Sequence, residues 1–249
     1  MKERVMIVTG GGRGIGAAVA RQAAADGWTV CVNYTRDGAA ADRTVAGIAA
    51  QGGRALAVQA DVAREDDVLR LFDTVDRQLG RLTALVNNAG VVDVACKVRD
   101  MSVARLERMF GINVIGSIVC AREAVRRMAK SAGGQGGSIV NVGSVAARLG
   151  SPNEYVDYAA SKGAIDSFTL GLAKEVAPEG IRVNCVRPGL TVTDIHASGG
   201  EPDRVERLRG AIPMQRGGEA DEIAQAVVWL SSDAASYVTG ALLDVSGGR

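Results

Sequence analysis

Seven short, almost wholly apolar runs recur along the chain and alternate with longer amphipathic stretches. The runs are Val5 to Thr9, Thr29 to Tyr34, Ala55 to Gln59, Leu82 to Asn87, Ser138 to Val142, Arg182 to Arg187 and Leu242 to Val245. They lack the polar alternation of a half-wet strand, so they read as parallel strands covered on both faces. Between them, helices are predicted near Gly14 to Asp26, Gly38 to Ala50, Glu65 to Leu79, Ser102 to Ser131, Tyr158 to Ala177 and Glu219 to Ser231. This alternation predicts right-handed crossovers and one α/β domain over residues 1–249, a doubly wound, parallel, seven-stranded sheet with helices on both faces. The glycine run 133–137 reads as a helix-to-strand loop, because a strand follows at once. Residues 189–218 break the rhythm. They are polar, contain Gly199-Gly200, Pro202 and Pro213, and predict a mobile flap with a short helix near Asp203 to Arg209.

Composition narrows the function classes. With 47% hydrophobic and 23% charged residues, the chain can bury a large aliphatic core. Its 29 basic and 28 acidic residues leave a formal charge of +1, without the basic surplus that nucleic-acid binding requires. The start, Met1-Lys2-Glu3-Arg4-Val5, does not look like a secretory signal, and no apolar run is long enough to span a membrane, so a cytoplasmic protein is expected. Cys31, Cys96, Cys120 and Cys185 lie far apart, with no ligand-like spacing to the lone His196. They read as reduced residues, and no metal site is expected. Thirty-two glycines in 249 residues, about 13%, stand well above the average of roughly 7%, so at several places something approaches the backbone closely.

One such place follows the first strand. Thr9-Gly10-Gly11-Gly12-Arg13-Gly14-Ile15-Gly16 runs directly into an alanine-rich helix. Glycines allow positive φ and close approach, and the free N–H groups of the new helix attract a pyrophosphate. Strand, loop and helix in this order predict a dinucleotide site involving Gly10, Arg13, Gly14, Ile15 and Gly16. The second strand ends Asn33-Tyr34-Thr35-Arg36, with no acidic side chain to bind a ribose 2′-hydroxyl. Arg36 and Arg13 can flank a 2′-phosphate, which favours NADP over NAD. Asp37, the counter-argument, reads as the N-cap of the next helix.

Tyr158 and Lys162 stand four residues apart and so share a helix face. An adjacent ammonium lowers a phenol's pKa from about 10 toward neutrality, which makes the phenol a usable proton donor and acceptor. Ser144 lies at the C-terminal edge of the fifth predicted strand, the edge where doubly wound sheets bind ligands. Together these features resemble the short-chain dehydrogenase/reductase family over essentially the whole chain. Thr9-Gly10-x-x-x-Gly14-x-Gly16 looks like its cofactor motif, and Asp61-Val62 like its adenine contact. Asn87-Asn88-Ala89-Gly90 looks like its strand-four motif, Tyr158-x-x-x-Lys162 like its active-site pair, and Pro188-Gly189 with Thr191 and Thr193 like its nicotinamide-contacting segment. The resemblance implies a Rossmann fold and an NAD(P)-dependent oxidoreductase acting on carbonyl or secondary-alcohol substrates, assembled as a homotetramer or dimer. It also implies a tetrad of Asn113, Ser144, Tyr158 and Lys162. In that tetrad Tyr158 protonates the developing alkoxide, Ser144 hydrogen-bonds it, Lys162 holds the ribose, and Asn113 positions a relaying water.

Two features depart from the commonest family pattern. Gly143-Ser144 stands where many members carry two serines. The interval from Ser144 to Tyr158 is one residue longer, which predicts a bulged loop and makes Ser151 a minor rival to Ser144. Tyr155 has no lysine four residues on and reads as a wall of the substrate pocket. Substrate identity stays open among ketone or 3-oxoacyl thioester reduction and sugar or polyol oxidation, and a catalytically silent NADP-binding regulator is the rival from another class. His196 sits in the flap and is a candidate pocket residue. The basic helix end Arg122, Arg126, Arg127 and Lys130 reads as complementing the helix dipole, with docking of an acidic carrier protein as the alternative. Small residues on the Tyr158 helix, among them Ala160, Gly163, Ala164 and Gly171, are suited to close packing of a second helix.

Overall fold

The apolar runs all join one sheet: β1 (Val5–Val8), β2 (Thr29–Tyr34), β3 (Arg54–Gln59), β4 (Leu82–Asn87), β5 (Gly137–Val142), β6 (Ile181–Pro188) and β7 (Leu242–Val245). The computed structural model describes residues 4–193 and 199–249. Strand order is β3-β2-β1-β4-β5-β6-β7, with every pairing parallel. The winding reverses between β1 and β4, and a crevice opens there beyond the carboxyl ends of the strands.

The helices are α1 (Gly14–Ala25), α2 (Gly38–Ala50), α3 (Glu65–Gln78), α4 (Val103–Phe110), α5 (Ser117–Met128), α6 (Ala146–Leu149), α7 (Val156–Val176), α8 (Arg204–Leu208) and α9 (Ala220–Ser231). They build two cores, one on each face. Met6 and Val8 of β1 point to a core shared with Ala18 and Val19 of α1 and Val227 of α9. Val5 and Ile7 point the other way, to Leu71 and Phe72 of α3 and Cys120 of α5. With alternate residues buried on opposite faces, no position in the strand is left for a polar side chain, which accounts for the unbroken apolar runs. Cys31, Cys120 and Cys185 are buried free thiols, and burial pushes all three up to about 12.

The structure departs from the sequence expectation in one long helix. The stretch from Ser102 to Ser131 divides into α4, a π-helical turn at Gly111–Gly116, and α5. Gly116 lies against the Val62 carbonyl, where an added Cβ would sit 2.8 Å from the oxygen. Asn113, inside the turn, is buried. The wider turn thus brings the helix close to the β3–α3 loop while turning an amide into the interior.

The region between Ser144 and Tyr158 takes up its longer spacing with α6 and three left-handed residues, Gly150, Ser151 and Asn153 (φ 76°, 45° and 64°). Both ends of the 189–218 segment are joined at their base: Val192 N–H donates to the Gly218 carbonyl at 2.9 Å and Gly218 N–H to that of Leu190 at 2.9 Å. The short helix of this segment is α8. His196 lies outside the described residues. Among the described residues no helix is long and apolar enough to cross a membrane, and no group of three or more His, Cys, Asp and Glu could hold a metal.

Candidate active site

At the crevice, the glycine loop is held in place by side chains from two neighbouring strands. Asn33 accepts from Gly10 N–H at 3.2 Å and donates to the Ala60 carbonyl at 3.0 Å. Asn88 Nδ2 donates to the carbonyls of Thr9 and Gly10 at 2.9 and 3.1 Å, while Thr9 Oγ1 accepts from Asn88 and Ala89 N–H, both at 3.0 Å. Gly16 faces this brace so closely that an added Cβ would stand 2.3 Å from the Gly10 oxygen and 2.5 Å from Asn88 Nδ2. Gly10 and Gly14 have φ of 62° and 51°, the left-handed region that favours glycine.

This loop presents α1 to the crevice with no capping side chain on its first N–H groups and no acidic residue in its first turn. Such an end fits a pyrophosphate. Beside it, Arg13 and Arg36 are exposed and form no ion pair among the described residues. Asp37 caps α2, its carboxylate accepting from Ala40 N–H at 2.9 Å. The β2 terminus therefore offers cations to a ligand, while its nearest acid is engaged by backbone. Asn33 is turned inward, and Tyr34 packs beside Gly38. Asp61 accepts from Ala63 N–H at 3.0 Å, and Val62 is buried beneath the π turn.

Further along the same cleft stand Ile15, Asn88, Gly90, Pro188, Thr191 and Thr193, and it continues to Ser144, Tyr158 and Lys162. Thr193 lies over the first turn of α1, within van der Waals reach of a Cβ at Gly14. Residues from the glycine loop, the β4 exit, the 188–193 segment and α7 thus line one cleft.

Tyr158 is oriented by the start of α7. Asp157 is buried, accepts from Tyr158 N–H at 2.9 Å, and is paired with Arg105 of α4 at 2.7 Å. Arg105 and Asp157 were not singled out from the sequence, where an Arg and an Asp 52 residues apart carry no signal. Lys162 is buried and donates to the Val142 carbonyl at 2.7 Å, with Nζ 5.7 Å from the centre of the Tyr158 ring. Asn113 ties the π turn to the β4 exit, donating to the Val91 carbonyl at 3.0 Å and accepting its N–H at 2.8 Å, and it also donates to Ser161 Oγ at 3.1 Å. A Cβ at Gly90 would lie 3.5 Å from Asn113 Oδ1 and 3.6 Å from Lys162 Nζ, so this glycine keeps open the space that the two polar groups share.

The electrostatics correct one expectation. The phenol of Tyr158 is raised above its ordinary value by burial, with the Ser144 hydrogen bond as the opposing influence. Burial draws Lys162 down to about 8. Lys162 Nζ points to the Val142 carbonyl, and burial dominates the phenol, which is not lowered in this state. At neutral pH Tyr158 holds its proton, the form a general acid needs.

Residues outside the motifs complete the pocket. Tyr155 is buried on the cleft wall, donates to Glu201 at 3.3 Å, and carries the Arg204 guanidinium 4.7 Å above its ring. Ser151 lines the cleft, while Ser144 is the serine bonded to Tyr158. Part of the basic helix end is paired with acids of the same chain. Arg122 meets Glu65 at 2.6 Å, and Arg127 meets Asp73, Asp76 and Glu123 at 2.8, 2.6 and 2.9 Å.

Residues 10–249 match the family model described as enoyl-(acyl carrier protein) reductase. The chain is 55% identical to the uncharacterized oxidoreductase YgfF of Escherichia coli (strain K12), over 98% of this chain and 99% of that one. It is 38% identical to a 3-oxoacyl-[acyl-carrier-protein] reductase of Synechocystis sp. (98% and 96% covered) and 37% identical to glucose 1-dehydrogenase 2 of Bacillus subtilis (98% and 94%). Among solved structures, a short-chain dehydrogenase from Burkholderia cenocepacia J2315 in complex with NADP superposes with a TM-score of 0.89 at 36% identity, covering 99% of this chain and 97% of that one. With a seven-stranded Rossmann sheet, a braced glycine loop and Ser144, Tyr158 and Lys162 on one cleft, the chain belongs to the short-chain dehydrogenase/reductase family of oxidoreductases.

Proposed function

We propose that the protein is an NADP-preferring reductase of ketones or 3-oxoacyl compounds, with Tyr158 as general acid and base. The observation that carries this reading is the placement of Ser144, Tyr158 and Lys162 on the cleft that also receives the open end of α1. The bound nicotinamide would supply or accept hydride. Tyr158, protonated at neutral pH, delivers its proton to the alkoxide as it forms, and in the reverse direction it takes the proton from the alcohol. Ser144 hydrogen-bonds the reacting oxygen, a stabilisation placed where charge develops. Lys162, with a pKa of about 8, is positioned to return the proton.

Arg13 of the glycine loop and Arg36 at the β2 end support the preference for NADP, since neither makes an ion pair among the described residues and Asp37 beside Arg36 caps α2. Arg36→Ala is expected to raise the KM for NADPH roughly tenfold and leave that for NADH nearly unchanged. Equal effects on both would remove the 2′-phosphate contact. The reaction itself is tested by following NADPH and NADH absorbance with ketones, 3-oxoacyl thioesters, quinones and sugars. Turnover of ketones or thioesters supports the reading. Turnover of sugars alone replaces it with a sugar dehydrogenase, and tight NADPH binding without any turnover replaces it with a regulatory binding protein.

A cytoplasmic homotetramer is part of the same proposal. Its support is an exposed face of small and apolar residues on α5 and α7, including Ile118, Ala160, Leu170 and Gly171. Light scattering that returns a monomer would remove the assembly from it.

A further inference from the structure

Several arginines around the cleft are matched by carboxylates. Arg105 has Asp157, Arg187 has Asp166, and Arg204 on the flap has Glu154 and Glu201. Arg249 is different. It lines the same cleft as Ser144 and Tyr158, half-buried, and its guanidinium has no hydrogen bond or ion pair among the described residues. Its backbone, in contrast, is fixed. The Arg249 main-chain oxygen accepts from Arg148 Nη2 at 2.7 Å and from Ser246 Oγ at 3.0 Å, and Arg148 is itself held by Asp244 at 3.0 Å. Gly247 and Gly248 (φ 63° and 91°) seat the preceding backbone against Ile212 and Pro213, where added Cβ atoms would come within 2.9 and 3.1 Å.

A guanidinium held at its root and left unpaired at its head is ready for an incoming anion, because pairing it requires little further ordering of the backbone. No aspartate or glutamate lines this cleft among the described residues. The remaining charge on the flap side, that of Arg204, is already neutralised. The rest of the substrate end is apolar, with Val92, Val145, Leu149 and the Tyr155 ring. A single fork-shaped cation beside an apolar wall suits a carboxylate on a short carbon chain, whereas a phosphate dianion is better served by several cations.

We infer that Arg249 is the anion-recognising residue of the substrate pocket, and that the preferred substrate carries a carboxylate besides its reacting carbonyl: an oxo acid, or the matching hydroxy acid in reverse. The inference rests on the oxidoreductase reading above and narrows it from ketones in general to one charge class.

The test uses the whole protein with NADPH and NADH. Kinetic constants are measured for 3-oxobutanoate, 4-oxopentanoate and 5-oxohexanoate, each against its methyl ester, and for dihydroxyacetone phosphate against dihydroxyacetone. At least one acid is expected to exceed its ester in kcat/KM by roughly tenfold or more. Arg249→Leu should collapse that acid-to-ester ratio through KM rather than kcat, and Arg249→Lys should restore part of it. Esters handled as well as acids, or an unchanged ratio in Arg249→Leu, overturns the inference while the oxidoreductase reading stands. A preference for the phosphate over dihydroxyacetone, without one for any acid, overturns the carboxylate class. Calorimetric titration of the same three acids into the NADP-saturated protein gives a readout independent of turnover. Binding that is lost in Arg249→Leu, with no hydride transfer to any compound, keeps the anion site and overturns the reductase. Absence of both binding and turnover overturns the inference.

Discussion

The cleft has two walls built by opposite means. On the cofactor side, from the glycine loop to Lys162, polar side chains are committed to backbone groups: Asn33 to Gly10 and Ala60, Asn88 to Thr9 and Gly10, Asn113 to Val91, Lys162 to Val142. On the substrate side, Gly150 to Tyr155 and the flap are joined by the ion pair of Arg204 with Glu154, and the wall includes left-handed Ser151 and Asn153. A buried amide bonded to backbone cannot change without leaving an unsatisfied group, at a cost of about 1–3 kcal/mol. Partly exposed ion pairs are individually worth about 0–1 kcal/mol. The difference teaches where variation can enter: the reaction is built into the rigid wall, while substrate choice resides in the wall that tolerates change.

Removing the reacting phenol gives the largest test of that division. Tyr158→Phe is expected to lower kcat by roughly 10²–10⁴-fold. The fold and cofactor affinity should be nearly untouched, because α7 is held through Asp157 and Arg105 and not through the hydroxyl. Near-normal turnover in a stopped-flow assay would take the proton chemistry away from the rigid wall.

The next effect lies in stability and its dependence on pH. Burial draws Lys162 from 10.5 to about 8, so between those values the unfolded chain keeps a proton that the folded chain has released. Folding stability therefore gains with rising pH across that window, and the full penalty for burying the ammonium applies below about 8. Lys162→Met removes the titrating group. Its unfolding free energy relative to the wild type should decline by on the order of 3 kcal/mol between about pH 7 and pH 10.5, read from urea unfolding without cofactor. A difference that stays flat with pH would mean that Lys162 titrates alike in both states.

Gly16→Ala tests the rigid wall by overfilling it. The new methyl meets the Gly10 carbonyl and Asn88 Nδ2 at less than contact distance, and both are held by other bonds. A loss of about 1–3 kcal/mol is expected, with weaker NADPH binding by fluorescence titration. Unaltered binding and melting temperature would show that the loop has slack.

How much of each wall the sequence revealed follows from the same contrast. Gly10, Gly14 and Gly16, Tyr158 and Lys162 work through local spacing, so their motifs were legible, as was the strand-helix alternation that buries both faces of the sheet. Asn33 and Asn88 were legible as positions near the cofactor but not as braces, since a brace is defined by its distant partner. Asn113 was legible only through the family resemblance, and the π turn around it packs on Val62, about fifty residues earlier, a contact that no helical periodicity reports. Arg204 and Arg249 reach the cleft only through tertiary folding of the flap and the final strand. The expectation that Lys162 lowers the Tyr158 pKa followed from helix spacing, which carries no information on burial, and burial raises the phenol in this state.

The smallest effect separates a structural acid from a cofactor-reading one. Asp37 follows Arg36 at the β2 exit, where an acid can bind a ribose hydroxyl, but its carboxylate accepts from Ala40 N–H and caps α2. That helix lies on the glycine loop through Ala41, and Thr44 Oγ1 donates to the Gly12 carbonyl at 3.2 Å. Asp37→Ala should therefore cost about 1 kcal/mol in unfolding free energy as the cap is lost. The ratio of kcat/KM for NADPH to that for NADH should stay constant, because the carboxylate is engaged by backbone and the free cations beside it remain. A ratio that moves strongly toward NADPH would show the carboxylate turned to the ribose, and the β2 end would then belong with the adaptable wall instead of the fixed one.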